Sequence, residues 1–77
     1  DRRQLREWLV TALNGLNERE RFIVRERKLR EESRTLESLG NELGLSKERV
    51  RQLEAAAFLK MRKSLEGQSR EVQNFLA

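Results

Sequence analysis

The stretch from Ser46 to Glu54 (SKERVRQLE) carries three kinds of side chain whose chemistries complement one another. The guanidinium of Arg51 is able to pair with both acceptors of guanine, and the amide of Gln52 with adenine. The carboxylate of Glu48 is able to accept from the amino group of cytosine. Because base edges present donors as well as acceptors, this mixture suits them better than it suits phosphates. A solvated helix face, with Glu48 capping the helix or holding Arg51 in place, remains an alternative.

The sequence predicts that these side chains share one face of a helix running from residue 47 to about residue 65. Ser46 is its N-cap, and apolar residues at steps of three and four give it a buried stripe: Val50, Leu53, Ala57, Met61 and Leu65. At about 100° per residue, the side opposite Val50 carries Glu48, Arg51, Gln52, Ala55 and Leu59, with Lys47 on the flank.

A second helix is predicted directly before this one, over residues 36–43, with Thr35 as N-cap. Apolar residues occupy the positions that two crossing helices bury, namely Leu36, Leu39, Leu43, Leu45, Val50 and Leu53. Gly40 falls where a steep helix crossing leaves little room for a side chain, and Gly44 falls in the turn, where a positive φ is often needed. The spacing therefore predicts a helix-turn-helix over residues 35–65.

The first 34 residues predict two more helices. The first runs from about Arg3 to Asn14, and we expect Gly15 to end it as a left-handed cap. Asn17 and Glu20 form the capping box of the second, and the polar stretch of residues 30–34 is predicted to be a loop. After Gly67, expected to close the long helix, the tail (residues 66–77) is predicted as a short last helix or a frayed end. The fold class is thus all-α, with four to five helices in a single domain.

The composition excludes several classes of function. The chain has 77 residues, with neither Cys nor His, so zinc sites and catalysis by His or Cys are ruled out. No Gly-rich phosphate loop or isolated acid pair is present, and we expect no enzymatic activity, cofactor, metal or small-molecule ligand. No apolar run approaches the length of a membrane span. Since the sequence does not begin with Met, we expect it to be a piece of a longer protein.

The net charge of +4 is concentrated in two segments. Residues 19–34 carry seven cations against four anions, and residues 46–65 carry six against two. Such clustering is expected of a surface that binds a polyanion, although solvated helix faces would show it as well. The side chains predicted to contact a nucleic-acid backbone are Arg19, Arg27, Thr35 and Lys47.

Residues 16–29 (LNERERFIVRERKL) and residues 35–65 (TLESLGNELGLSKERVRQLEAAAFLKMRKSL) resemble region 4 of the bacterial sigma-70 family. The similarity extends from about Leu13 to Leu65, and SKERVRQLE is most similar to the heat-shock sigma factors. The resemblance implies a cytoplasmic, bacterial domain that binds the promoter −35 element while its parent sigma factor is held on RNA polymerase.

The resemblance also implies roles for particular residues. Glu48, Arg51, Gln52 and Lys47 match positions that contact the −35 duplex, and Arg19, Arg27 and Thr35 match positions that contribute to DNA binding. An apolar surface of the family binds the flap tip of the polymerase β subunit, for which Phe22, Ile23 and Leu29 are the candidates. Anti-sigma factors or activators are further expected partners.

Two other functions compete with this prediction. Leu16 to Glu20 also fits the Leu-x-x-Arg-Glu motif of response-regulator output domains, although the recognition helix of that class resembles Thr-Val-x-x-His and this chain has no His. Alternatively, the domain acts mainly as a protein-interaction module, with little contribution from DNA. That hypothesis predicts binding that barely responds to salt or to Arg51→Ala.

Overall fold

In the computed structural model, which describes residues 2–64 and 70–75, every regular element is helical. The helices in chain order are α1 (Arg2–Asn14), α2 (Glu18–Val24), α3 (Leu36–Leu43), α4 (Lys47–Arg62) and α5 (Arg70–Asn74). The last turns of the second helix widen into a π-helical segment, Arg25–Leu29. The prediction of an all-α fold containing a helix-turn-helix is confirmed, with α3 and α4 as its two helices. No helix within the described residues is long and apolar enough to cross a bilayer.

The three predicted N-caps are all present. Asn17 Oδ1 accepts a hydrogen bond of 2.8 Å from the N–H of Glu20, whose carboxylate accepts one of 3.1 Å from the N–H of Asn17. Thr35 and Ser46 each accept a bond of 3.0 Å from the N–H three residues further along the chain. These caps satisfy N–H groups that have no partner inside a helix, and they set where α2, α3 and α4 begin.

The left-handed cap expected at Gly15 is wrong, because Gly44 is the glycine with a positive φ among the described residues. Instead α1 ends in two tight turns, in which Gly15 N–H donates to Ala12 O at 3.2 Å and Leu16 N–H donates to Leu13 O at 3.1 Å. These turns bring Leu16 into the core directly after the helix, where it is 4% exposed. Burial of Leu16 thus outweighs the local preference of glycine.

The predicted end of α4 at about Leu65 is three residues late, since the helix ends at Arg62. Ser64 donates its hydroxyl to the carbonyl of Met61 at 2.7 Å, and it accepts a bond of 2.6 Å from the indole N–H of Trp8. A serine that bonds back to the preceding turn competes with the helical pattern. Leu65 and Gly67 lie outside the described residues, whereas the tail prediction of a short helix is met by α5.

Two apolar clusters hold the helices together, and α2 contributes to both. The first cluster, between α1, α2 and α4, buries Trp8, Ala12, Leu13, Leu16, Val24, Ala57 and Met61. The second, within the helix-turn-helix, buries Ile23, Leu39 and Val50. Val24 belongs to the first cluster with Ala57 and Met61, and the adjacent Ile23 belongs to the second with Val50. The helix α2 therefore shares a core with both the middle and the beginning of α4. Phe75 after α5 packs edge-on against Trp8, with ring centroids 5.8 Å apart.

The turn of the helix-turn-helix depends on both of its glycines. Gly44 has φ of 70° and ψ of 32°, a conformation that costs other residues about 1–2 kcal/mol. The carbonyl of Gly40 accepts from the N–H of Leu45 at 2.8 Å. A Cβ on Gly40 would lie 2.5 Å from the carbonyl oxygen of Leu45, which is closer than real Cβ atoms approach. The predicted close crossing at Gly40 and positive φ at Gly44 are confirmed.

Glu20 is a buried carboxylate, 3% exposed, that joins α2 to α4. In addition to its capping bond, its Oε1 accepts from Lys60 Nζ at 2.9 Å. Burial raises the pKa of Glu20, but the hydrogen bonds from Lys60 and from the N–H of Asn17 outweigh it, so the folded pKa lies below the ordinary value. The folded protein therefore favours the ionised form of Glu20.

We expect Glu20 to make the stability of the domain depend on pH. Because its folded pKa is lowered, its contribution is present above about pH 4.5 and is lost as the pH falls through the folded pKa. Glu20→Gln keeps an acceptor for the capping box but does not titrate. The free energy of unfolding of Glu20→Gln should therefore fall less than that of the wild type between about pH 6 and about pH 3.

Urea denaturation followed by circular dichroism at each pH measures this difference. Glu18→Gln is the matched control, since Glu18 is an exposed acid in the same helical turn. We expect Glu18→Gln to follow the wild type. A Glu20→Gln curve that runs parallel to the wild type would show that Glu20 has the same pKa in both states.

Candidate nucleic-acid interface

The beginning of α4 presents the predicted base-contacting side chains to solvent. The side chains of Arg51 and Glu48 are 56% and 60% exposed, and Gln52 is exposed as well. Val50, on the opposite side of the helix, is fully buried under α2 and α3. Three chemistries that complement base edges therefore lie together on the outer surface of one helix, which two packed helices support from behind.

Glu48 and Arg51 form an ion pair through two hydrogen bonds. Arg51 donates from Nε to one carboxylate oxygen at 2.9 Å and from a terminal nitrogen to the other at 2.5 Å. These hydrogen bonds, with smaller contributions from charge attraction and from a hydrogen bond with Gln52, lower the pKa of Glu48. They also raise the pKa of Arg51. Both groups are thus charged in the free domain, and the guanidinium lies against the acid.

Arg49 extends this set of polar side chains, although sequence analysis did not assign it a role. It donates to Gln52 Oε1 at 3.3 Å, so the amide oxygen of Gln52 is oriented by a neighbouring cation. Arg49 also borders an open groove of about 440 Å³ together with Arg19 and Leu53. The groove places two arginines from different helices beside the predicted base-contacting surface, with the acid Glu18 also in its lining.

The four residues predicted to contact the DNA backbone lie in different environments. Arg19 and Lys47 are exposed, at the beginnings of α2 and α4. The Thr35 hydroxyl accepts the capping bond of α3, which leaves its hydrogen available to donate. Arg27 instead lies against α4, where its Nε donates to Glu54 at 2.7 Å and a terminal nitrogen donates to the carbonyl of Arg34 at 2.9 Å. Its guanidinium therefore joins the π-helical segment to α4 within the domain.

A further ion-pair network, which sequence analysis did not find, fixes the start of α3. Arg34 contacts Glu26 Oε1 and Glu42 Oε1, each at 2.9 Å, and donates to the hydroxyl of Ser38 at 3.0 Å. The hydrogen bond from Arg34 lowers the pKa of Glu26, outweighing its partial burial. Because these partners come from the π-helical segment and from α3, no local spacing in the sequence would have indicated the network.

The three residues suggested as contacts for the polymerase flap differ in exposure. Leu29 is 41% exposed at the end of the π-helical segment, and Phe22 is half-buried. Ile23 has no exposed surface and belongs to the second apolar cluster. Its assignment as a contact is corrected accordingly, since Ile23 is a core residue in the folded domain.

Comparison with known proteins identifies the family. The family described as Sigma-70, region 4 matches residues 12–63, which include α2, α3, all of α4 and most of the first apolar cluster. The chain belongs to the sigma-70 family, as its region 4. The resemblance of residues 16–29 and 35–65 to this family is confirmed, and the response-regulator alternative is set aside. Region 4 is a DNA-binding regulatory domain and not an enzyme.

Curated relatives of this region 4 domain are sigma factors. It is 46% identical over 57 residues to RNA polymerase sigma factor RpoH of Zymomonas mobilis, an alignment covering 74% of this chain and 19% of that protein. The RpoH protein of Rhizobium radiobacter is 41% identical over 92% of this chain and 24% of its own length. RNA polymerase sigma factor RpoD of Helicobacter pylori is 42% identical over 97% of this chain and 11% of its own length. The chain thus spans a quarter or less of these relatives.

Proposed function

We propose that this region 4 domain recognises the promoter −35 element by inserting the beginning of α4 into the major groove. The observation that carries the proposal is the exposed face formed by Glu48, Arg51 and Gln52. In a helix-turn-helix the N-terminal part of the second helix contacts base edges. Arginine pairs with guanine, glutamine with adenine, and a carboxylate accepts from cytosine. The test motif for the −35 element is TTGA, which contains a G·C pair followed by an A·T pair. The side chains of this face complement the edges of those two base pairs.

Contacts to the DNA backbone would come from residues around that face. Arg19 and Lys47 are exposed at helix starts, and the Thr35 hydroxyl lies at the start of α3. Arg27 would contribute to DNA binding indirectly, because its ion pair with Glu54 holds α4 against the rest of the domain. In this proposal the phosphate contacts orient the domain and the α4 face supplies specificity.

The parent protein is proposed to be a cytoplasmic bacterial sigma factor that directs RNA polymerase to heat-shock promoters. Identities of 46% and 41% to two proteins named RpoH, and of 42% to an RpoD protein, support a sigma factor as the parent. The resemblance of SKERVRQLE to the heat-shock sigma factors favours heat-shock promoters. The β-flap of the polymerase core is the proposed protein partner, with anti-sigma factors or activators as regulatory ones. Residues 1–77 would form one domain of that factor.

Fluorescence anisotropy with a labelled duplex carrying TTGA tests the proposal, with the same duplex scrambled at that motif as control. Both titrations are repeated at several salt concentrations. We expect tighter, salt-dependent binding to the TTGA duplex. Equal binding to both duplexes would show that the domain is attracted to the DNA backbone without reading the bases. The absence of binding would contradict DNA recognition by the domain itself.

A second candidate function is binding of the polymerase flap without a major contribution from DNA. It is favoured by Leu29, an apolar side chain that is 41% exposed at the end of the π-helical segment. If this surface contacts the flap, Leu29→Ser should weaken binding of a purified β-flap fragment by about 1–2 kcal/mol and leave DNA affinity unchanged. Leu59→Ser is the control, since Leu59 is a comparably apolar residue, 56% exposed on α4. Equal losses in the two variants would contradict a flap site at Leu29.

A further inference from the structure

The carboxylate of Glu48 pairs with the guanidinium of Arg51, the residue proposed to contact guanine. Arg51 is 56% exposed, yet two of its nitrogens donate to the two oxygens of Glu48. Planar, bidentate pairing of this kind is also the geometry in which arginine binds a phosphate. An anion that binds Arg51 through Nε and the same terminal nitrogen must therefore displace Glu48 first.

We propose that Glu48 is a specificity-determining residue that keeps Arg51 from binding the phosphates of non-target DNA. The inference rests on the proposed function in one respect, that the α4 face approaches DNA. When Arg51 moves to a phosphate, the Glu48 carboxylate loses both hydrogen bonds from the guanidinium, keeps only the one from Gln52, and faces a second anion. When Arg51 moves to guanine, a cytosine amino group is able to donate to Glu48 in its place. Only base edges satisfy both partners after the exchange.

The side chains around Glu48 support this account. Gln52, which lies beside Glu48 and shares a hydrogen bond with it, uses its amide oxygen to accept from Arg49. The hydrogen bonds from Arg51 lower the pKa of Glu48, so the carboxylate is ionised at neutral pH. Glu48 is thus a lasting negative charge at the centre of a segment in which cations outnumber anions six to two. An ionised Glu48 remains an acceptor for Arg51 in the free domain and for a base amino group in the groove.

The test compares the 77-residue chain with its Glu48→Gln variant on the scrambled duplex over a range of salt concentrations. Release of Arg51 should tighten non-specific binding by about two- to fivefold. One additional phosphate contact should also steepen the dependence of log K on log salt by about 0.9. The ratio of affinities for the TTGA and scrambled duplexes should fall by about the same two- to fivefold.

Glu37→Gln is the matched control, because Glu37 and Glu48 each occupy the second position after a helix N-cap and each is exposed. The control loses the same charge at the same place relative to a helix dipole, without releasing Arg51. If Glu37→Gln changes the salt dependence as much as Glu48→Gln does, net charge explains the effect and the proposal is overturned.

A double-mutant cycle separates release of Arg51 from direct repulsion by Glu48. In the Arg51→Ala background, Glu48→Gln should no longer tighten binding to the scrambled duplex. Tightening that persists without Arg51 would overturn the proposal. If the wild type does not distinguish the two duplexes, the proposed function fails. The role of Glu48 is still decided in that case, because it is tested on the scrambled duplex alone.

Discussion

Replacing Gly40 with alanine is expected to lower the free energy of unfolding by about 2–4 kcal/mol. The added Cβ would lie 2.5 Å from the carbonyl oxygen of Leu45, and a backbone atom is unable to move aside as a flexible side chain would. Relief of this contact requires α3 and α4 to separate, which also strains the bond of 2.8 Å between Leu45 N–H and Gly40 O. Chemical denaturation followed by circular dichroism measures the loss.

Asn41→Ala is the control for Gly40→Ala, because Asn41 is the next residue of α3 and is exposed. We expect it to change stability by less than about 0.5 kcal/mol. Gly44→Ala gives an informative comparison, since a Cβ there meets no atom within 4 Å but the φ of 70° disfavours alanine. We expect that strain to cost about 1–2 kcal/mol. If Gly40→Ala is no more harmful than Asn41→Ala, the two helices do not cross closely at Gly40.

Arg51→Ala is expected to lower the affinity for the TTGA duplex by about 1–3 kcal/mol, or about 5- to 150-fold. The loss should fall mostly on the TTGA duplex, because the guanidinium contact is made with a base. Arg51 is 56% exposed and lies outside both apolar clusters, so the variant should fold as the wild type does. Anisotropy titrations of both duplexes measure the change in preference.

Lys47→Ala provides the comparison for Arg51→Ala, since Lys47 is an exposed cation at the start of α4, about one helical turn before Arg51. Loss of a phosphate contact should weaken binding to both duplexes about equally and reduce the salt slope by about 1. Equal losses for Arg51→Ala on the two duplexes would instead assign Arg51 to the DNA backbone.

Features that depend on nearby residues were predictable from the sequence. The caps at Asn17, Thr35 and Ser46 follow from side chains that reach an N–H three residues away, and all three are present. The conformation of Gly44 follows from the tight turn between α3 and α4. The outward face of α4 follows from helical periodicity, because burial of Val50 fixes the rotation of the helix.

Features that depend on distant partners were not predictable. Arg27 was expected at the DNA backbone, but the acid that binds it, Glu54, lies 27 residues further along the chain. The π-helical segment Arg25–Leu29 has no sequence signal of its own. It coincides with carbonyl groups that the following loop satisfies, since Ser33 Oγ donates to Arg27 O at 2.7 Å and Arg34 N–H donates to Glu26 O at 3.1 Å. Tertiary contacts therefore decide these positions.

Substitution of 7-deazaguanine for the guanine of TTGA tests whether Arg51 recognises that base in the major groove. This analogue removes the N7 acceptor that arginine binds in the major groove and leaves Watson–Crick pairing intact. We expect the analogue to weaken binding of the wild type by about fivefold or more and to leave binding of Arg51→Ala unchanged. An equal effect on both proteins, or no effect on the wild type, would contradict recognition of guanine by Arg51.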